Sequence, residues 1–295
     1  MKHKSTIVFI LMGMFLVTQF IGLYVVNHYN QEDNQLPYGL EPPQLKEDKD
    51  FFTIFPSIII AFIIAVVLFF LLTRFKIEFI LKLWFLLVIV MALALAINAF
   101  FPKFQYISIL ALAIAIPLAL IKVFNRNLIV HNATELLIYP GIAAIFVPLL
   151  NIWTIIILLV LISIYDMWAV WKSKIMQKMA KYQMNTLKIF SGFFVPYLSK
   201  KQRQSIKKLN KKDLRKKKIK VNIAILGGGD VIFPIITAGV MLKTLGLWPA
   251  IFVILGAALG LGYLFIRSEK KKFYPAMPFI SAGIFLGMLV SFIFF

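Results

Sequence analysis

The sequence predicts an all-α membrane protein, a bundle of nine transmembrane helices. Of its 295 residues, 61% are apolar, whereas soluble domains are closer to half apolar, and the mean hydropathy is +0.89. The apolar residues fall in blocks of roughly 20, the number that crosses a bilayer core of about 30 Å as a helix. The blocks are predicted near residues 6–26, 55–73, 79–100, 104–123, 133–149, 152–171, 221–243, 247–266 and 275–295.

The first block is expected to stay in the mature protein. Its charged start, Met1 to Lys4, also fits a signal peptide, and that remains the alternative. However, its apolar stretch is longer than the core of a signal peptide, and no small-residue cleavage site follows it cleanly. A retained first span makes the count nine.

Basic residues set the expected orientation. With a cytoplasmic N-terminus, all of the Lys and Arg residues fall on the cytoplasmic side except Lys46, Lys49, Lys103 and Lys243. This agrees with the positive-inside rule and puts the C-terminus outside the cell membrane. The chain then divides into 1–171 with spans one to six, a basic cytoplasmic loop at 172–220, and 221–295 with spans seven to nine.

The loop at 172–220 carries most of the formal net charge of +20. From Lys174 to Leu198 it mixes lysines with apolar residues, which predicts an amphipathic helix on the inner leaflet. The following stretch, 207–220, is almost purely basic. We expect this loop to contact anionic lipid of the inner leaflet. Nucleic-acid binding is the weaker interpretation because no nucleic-acid-binding motif accompanies the charge.

Several kinds of site are excluded by composition. The chain has no cysteine and only three histidines, His3, His28 and His131, at or outside the ends of the predicted spans. Thiol chemistry, cysteine-bound clusters and a histidine metal site within the membrane are therefore excluded. We predict neither a metal nor an organic cofactor.

Two acids remain at membrane depth when those in loops and at span edges, Glu135 among them, are set aside. Asp166 precedes the end of the sixth span by six residues, about 9 Å along a helix, and Asp230 follows the start of the seventh by about 15 Å. Acids within a membrane are costly and usually functional. Because the two spans are consecutive and antiparallel, we expect the carboxyl groups to lie close together.

Two carboxyl groups in one low-dielectric site tend to hold a single proton between them. The ionised member can take a proton from water while the protonated member donates one to a carbonyl oxygen, which is the chemistry of aspartic proteolysis. A polar helix contact or a proton or ion pathway needs the same pair. Depth and pairing alone leave protease and channel or transporter equally open.

The residues beside each acid favour proteolysis. Gly227, Gly228 and Gly229 precede Asp230 and permit local unwinding and close backbone approach, although glycines also serve helix packing. Tyr165 can supply a hydroxyl beside Asp166.

Two short segments are expected to border the same cavity. Pro275, Ala276, Met277 and Pro278 predict an irregular start to the last span, because two prolines fit poorly in a helix interior. A proline in the first turn explains Pro275 alone. Ile219 to Leu226 carries alternating β-branched residues and predicts a strand that pairs with an unwound substrate. The alternative is that this stretch forms the first turns of the seventh span.

Together these motifs resemble the presenilin and signal-peptide-peptidase family of intramembrane aspartyl (GxGD) proteases. The family's Tyr-Asp, Gly-x-Gly-Asp and Pro-Ala-Leu motifs have counterparts, in order, in spans six, seven and nine. They stand here as Tyr165-Asp166, Gly227-Gly228-Gly229-Asp230 and Pro275-Ala276-Met277. Met277 and Gly228 both replace a leucine that is usual in the family.

The extended patterns Tyr165 to Val170 and Pro275 to Pro278, with the cytoplasmic N-terminus, look like an archaeal presenilin homologue. The resemblance implies Asp166 and Asp230 as the catalytic pair and transmembrane protein segments as substrates. It implies that the tyrosine, glycine and proline motif residues line the active site. Natural substrates, accessory subunits and oligomeric state are not encoded in any motif.

Overall fold

The computed structural model describes residues 5–31, 34–43, 45, 47–75, 77–101, 106–125, 127–172, 191–197, 222–268 and 274–294. In this part of the chain, nine helices are long and apolar enough to cross a membrane, which confirms the predicted number of spans. They are α1 (Ser5–Asn30), α2 (Asp48–Arg74), α3 (Glu78–Phe100), α4 (Ile107–Phe124), α5 (Leu128–Phe146), α6 (Ile152–Met167), α7 (Gly228–Leu245), α8 (Leu247–Arg267) and α9 (Met277–Phe294). A 3-10 turn, Val147–Leu149, follows α5, and a π-helical turn, Trp168–Lys172, follows α6.

Helix α7 is the centre of the bundle and packs on α1, α5, α6, α8 and α9. Small residues allow these close approaches. Gly22 of α1 faces the side chain of Ile235, where a Cβ would lie only 2.4 Å from Ile235 Cγ2 and would force a shift. Between α8 and α9 the backbones themselves touch, because Gly256 lies against the carbonyl of Gly283. Close contacts through glycine are the usual means of helix association in a membrane.

Helices α3 and α4 form a second packed unit beside α5. Ala111, Ala115 and Ala119 recur every four residues on α4 and are fully buried, so one face of α4 lies flat against its neighbours. Helix α2 is peripheral: its packing is concentrated near its N-terminal end, where Asp48 accepts a hydrogen bond of 2.8 Å from Asn151 Nδ2.

A two-stranded antiparallel sheet interrupts the helical pattern between α6 and α7. Its strands are β1 (Gly192–Tyr197) and β2 (Asn222–Gly227), with Gly192 opposite Gly227 and Tyr197 opposite Asn222. The strand predicted before the glycines is therefore confirmed over Asn222–Gly227. The alternative, that these residues begin the seventh span, is wrong, and α7 starts at Gly228 instead of 221.

The amphipathic helix predicted for Lys174 to Leu198 is wrong over Gly192–Tyr197, which is β1. Its earlier part lies outside the described residues. The physical reason is pairing: alternating residues in both segments satisfy each other's backbone groups, which outweighs a local helical pattern. The sheet ends beside the N-terminus of α7, and it thereby borders Asp230.

Candidate active site

Asp166 lies in the last turn of α6 and is buried, with 5% of its surface exposed. The N-terminus of helix α6 is stabilised because the side chains of Asn151 and Thr154 each accept a hydrogen bond from the other's backbone N–H. It ends in the π-helical turn directly after Met167. Turns of this type are frequent at functional sites, since the extra residue in the turn redirects side chains. Asp166 therefore sits where the regular helix stops.

Asp230 lies in the first turn of α7, only two residues after the helix begins. Its depth is thus set by the strand before it, and the expectation that Asp230 lies about 15 Å along a helix from the start of the seventh span is wrong. Asp230 is partly buried. Helices α6 and α7 pack together, so the two acids lie on neighbouring helices, and that their carboxyl groups form one site stays a prediction.

The N-terminus of α9 is aimed at Asp166. The backbone N–H of Met277, the first residue of α9, donates a 3.0 Å hydrogen bond to Asp166 Oδ2, and the amide of Ala276 interacts with the same carboxyl. The first amides of a helix have no partner inside it and carry partial positive charge. The Pro-Ala-Met-Pro segment therefore presents backbone donors to a carboxylate, which its side-chain chemistry alone does not indicate.

Pro275 and Pro278 lie at positions relative to the start of α9 that differ from those expected from the sequence. Pro278 is the second residue of α9, a first-turn position where a missing N–H costs nothing. Pro275 lies in the extended segment before the helix and is buried. The segment enters α9 without an irregular turn inside the helix, and its irregular part is confined to 274–276.

Each of the three glycines has a different neighbourhood. A Cβ on Gly227 would stand 3.2 Å from Asp230 Oδ2, and one on Gly228 would stand 2.6 Å from Ser191 Oγ. A Cβ on Gly229 would meet only an atom of Phe233, at 3.8 Å. Gly228 is thus required by packing, whereas Gly229 faces open space beside Asp230.

Tyr165 directly precedes Asp166 in the last turn of α6. It is 40% exposed, whereas Asp166 is buried, and its ring lies 6.3 Å from that of Trp168.

Glu135 is a third acid inside the bundle. The prediction that it lies at the edge of a span is wrong. Glu135 lies within α5 and is 1% exposed. Lys122 Nζ of α4 donates to Glu135 Oε1 at 2.6 Å, so a buried cation is also present inside the bundle. His131 Nδ1 lies 3.3 Å from Lys122 Nζ. The partners come from different helices, and their spacing along the chain gives no signal of the ion pair.

Tyr139 is another neighbour of the site that the sequence did not reveal. Its side chain is 2% exposed, and its hydroxyl lies 3.4 Å from Ser191 Oγ. A Cβ on Gly228 would be 2.9 Å from the same hydroxyl. Tyr139 therefore occupies the space that a side chain at position 228 would need.

Comparison with known proteins agrees with this geometry. A family model described as signal-peptide peptidase, presenilin aspartyl protease matches residues 12–295. The chain belongs to this family. Two crystal structures of a presenilin family intramembrane aspartate protease have the same fold. In space group C222 the TM-score is 0.57, with 19% identity over 97% of this chain and 98% of the other. In space group P2 the TM-score is 0.62, with 18% identity over 97% of both chains. A search of curated proteins finds no significant match.

Membership in the presenilin and signal-peptide-peptidase family decides between the two functions that a buried acid pair leaves open. The protein is an intramembrane aspartyl protease, a peptide hydrolase. It is a multi-pass membrane protein whose substrates are membrane proteins in the lipid bilayer.

Proposed function

We propose that Asp166 and Asp230 are the catalytic pair of this protease. The observation that supports the proposal is the hydrogen bond from Met277 N–H to Asp166 Oδ2 at the N-terminus of α9. Both acids lie at a helix N-terminus, which stabilises negative charge, and Asp166 in addition accepts the Met277 N–H. We therefore take Asp166 as the ionised member and Asp230 as the carrier of the proton that the pair shares.

Hydrolysis then needs only these two groups and one water molecule. Asp166 takes a proton from the water, whose oxygen attacks the peptide carbonyl carbon, while Asp230 donates its proton to the carbonyl oxygen. The tetrahedral diol collapses when the amide nitrogen receives the proton from Asp166 and the C–N bond breaks. Asp230 recovers a proton from a diol hydroxyl, so the pair returns to its starting state. Tyr165, the three glycines and the Pro275–Pro278 segment line this site in our proposal.

The pair is tested by cleavage of a single-span membrane peptide. We expect Asp166→Asn and Asp230→Asn each to lower turnover by at least about 10³-fold, and the double variant to lower it no further, because groups that act as a unit are not additive. Glu78→Gln on α3 is the matched control and should retain full activity. Near-normal turnover in either single aspartate variant would rule out the pair.

We also propose that an unwound substrate adds as a strand to β2. One edge of the sheet is already closed: Phe194 of β1 exchanges two hydrogen bonds with the Asn132 side chain. Pro196 follows Phe194 by two residues, so it faces the same edge of β1, and it has no N–H to donate there. N–H and C=O groups alternate sides along a strand. Since Ile223 is opposite Pro196 and Ile225 is opposite Phe194, their backbone groups point to the other edge. No strand in the described part of the chain pairs with this edge, and we call it the open edge.

The open edge of β2 leads directly to the acids. Ile223 and Ile225 have exposed side chains, and the strand ends three residues before Asp230. A helical substrate shields its carbonyl groups with its own hydrogen bonds, so pairing with β2 would hold it extended where the acids can reach it.

Proline scanning separates strand addition from a merely structural strand. Ile223→Pro removes one outward N–H and should be tolerated, because prolines are compatible with an edge strand. We expect it to lower cleavage of a membrane substrate roughly tenfold, the effect of about one hydrogen bond, while an aspartate-directed transition-state inhibitor still binds. Ile223→Thr keeps the N–H and should cleave normally. Unchanged cleavage in a folded Ile223→Pro variant would contradict strand addition.

The orientation in the membrane is a further part of the proposal. The distribution of Lys and Arg supports a cytoplasmic N-terminus, an outside C-terminus and contact of the loop at 172–220 with anionic lipid. A reporter fused after Phe295 should be extracytoplasmic, and a cytoplasmic reporter would overturn the orientation.

The lipid contact is tested separately. Activity in vesicles should fall when anionic lipid is replaced by zwitterionic lipid, and equal activity in both would contradict the lipid contact. Nucleic-acid binding is not proposed.

A further inference from the structure

Helix α5 carries a polar face where a lipid-spanning helix would ordinarily be apolar. His131, Asn132, Glu135 and Tyr139 all lie on this helix, and none of them is in the active-site motifs. Polar side chains inside a membrane are costly and call for a function. Glu135 pairs with Lys122 of α4. The partners of the other three are in β1 and around Gly228, the two places that determine where the sheet lies relative to Asp230.

Asn132 acts toward β1 as a neighbouring strand would. Its Nδ2 donates to the Phe194 carbonyl at 2.8 Å, and its Oδ1 accepts from Phe194 N–H at 3.0 Å. A side-chain amide offers the same donor and acceptor as a peptide group. Two reciprocal bonds to a single residue are the pattern of a hydrogen-bonded pair in an antiparallel ladder. Asn132 therefore closes the edge of β1 with one side chain.

His131 adds a third bond on the same side of β1. Its Nε2 lies 2.8 Å from the carbonyl oxygen of Gly192, and its ring stacks on Phe194 at 4.7 Å. Lys122 Nζ lies 3.3 Å from His131 Nδ1. Because a lysine ammonium has no acceptor, Nδ1 is the acceptor and Nε2 carries the hydrogen that is donated to Gly192. The buried Lys122–Glu135 pair thus fixes the histidine in the tautomer that holds β1.

The sheet needs such an anchor because its connection to Asp230 is built from glycine. β2 enters α7 through Gly227, Gly228 and Gly229, which offer little resistance to bending. Asp166 belongs to another helix, so the distance between the open edge of β2 and Asp166 depends on how the whole sheet is held. Without the contacts to α5, only the packing of the strands on α1 and α7 opposes a pivot of the sheet at these glycines.

We propose that Asn132, supported by His131, is a positioning residue that sets which peptide bond of the substrate reaches the aspartate pair. The inference rests on strand addition of the substrate to β2, as proposed above. Asn132 touches neither the acids nor the substrate. It acts through β1, which fixes β2, which in turn fixes the substrate strand. A loosened sheet presents neighbouring peptide bonds to the acids as well as the preferred one.

The test measures where a single-span peptide is cut, with products identified by mass spectrometry. Asn132→Ala should lower kcat/KM roughly tenfold, the effect of the lost hydrogen bonds, and should spread cleavage from one main bond over neighbouring bonds. Asn132→Asp retains the acceptor but loses the donor and should have an intermediate effect. Asn132→Gln keeps both groups and should restore part of the cleavage precision. An aspartate-directed inhibitor should bind all three variants as it binds the wild type.

Asn127→Ala provides the matched control. Asn127 caps the same helix by accepting from Ile129 N–H and Val130 N–H, so its loss weakens α5 without touching the sheet. It should keep the wild-type cut site. If Asn132→Ala cleaves at the wild-type bond alone, or if Asn127→Ala spreads the products equally, the positioning role is wrong. If the wild type itself cuts no membrane peptide, the proposed function fails instead.

Discussion

The ion pair between Lys122 and Glu135 gives a quantitative prediction for stability. Both side chains are almost fully buried, with 3% and 1% exposed, and their charged atoms are 2.6 Å apart. Lys122→Met would leave the Glu135 carboxyl without its cation. It already has one oxygen, Oε2, with no hydrogen-bond partner in the part of the chain that the structure describes. Removing one partner of a buried pair costs about 3–5 kcal/mol, and we expect that loss in the free energy of unfolding.

Replacing both members should recover most of this loss. The double variant, Lys122→Met with Glu135→Leu, leaves no buried charge, and apolar replacement of a whole pair is often close to neutral. We expect it to lie within about 2 kcal/mol of the wild type, the remainder reflecting the donor that His131 loses. Tryptophan fluorescence during unfolding in a denaturing detergent measures the wild type, the single variants Lys122→Met and Glu135→Leu, and the double variant.

Lys243→Met is the matched control for the same substitution. The Lys243 ammonium lies 3.5 Å from a backbone carbonyl and 5.1 Å from the Phe51 ring centre, so its loss should cost less than about 1 kcal/mol. A cost of that small size for Lys122→Met would refute the ion-pair reasoning. So would a double variant whose loss equals the sum of the two single losses, because the charges would then be uncoupled.

Three further predictions concern positions elsewhere in the bundle. Gly141→Ala would overlap the backbone carbonyl of Ala92 and should lower the free energy of unfolding by about 1–3 kcal/mol. Gly13→Ala, the control, has free space around its Cβ and should be neutral or stabilising in the same detergent titration. Gly229→Ala should fold normally, since a Cβ has room there, yet lose cleavage of a membrane peptide because it fills space beside the acids; normal cleavage would show that this space is not used by substrate. Burial raises the pKa of Tyr38 above its usual value of 10.0, so its contribution to stability is complete below pH 10 and is lost as pH rises further; Tyr38→Phe should flatten that alkaline decline, and an unchanged decline would refute it.

The number of helices and the two aspartates were accessible from the sequence for a simple reason. A helix needs about 20 apolar residues to cross a bilayer, so each span is visible as one continuous stretch of the sequence. An acid inside such a stretch is easy to identify. The strand before Asp230 was visible as alternation in residues 222–226, but its partner was not. Gly192–Tyr197 lies among lysines and aromatic residues whose local pattern resembles an amphipathic helix, and only pairing with β2 distinguishes the two.

The polar face of α5 shows what sequence reasoning missed and why. The fifth span was predicted to start at 133, after His131, with Glu135 at its edge, whereas α5 begins at Leu128. Their partners are Lys122 from the preceding helix and the carbonyl of Gly192, some sixty residues later. A polar residue near the end of an apolar block can be assigned to the membrane interior only when its partner is known, and these partners are created by the fold.

The position of the cut in a membrane substrate tests the central claim most directly. The purified protein, reconstituted in lipid vesicles with a single-span peptide, should release two products whose masses locate the broken bond within the hydrophobic segment. Both products should be absent with Asp166→Asn and with Asp230→Asn, and present with Glu78→Gln. Cleavage confined to the polar flanks of the peptide, or cleavage that persists in either aspartate variant, would contradict intramembrane hydrolysis by this pair.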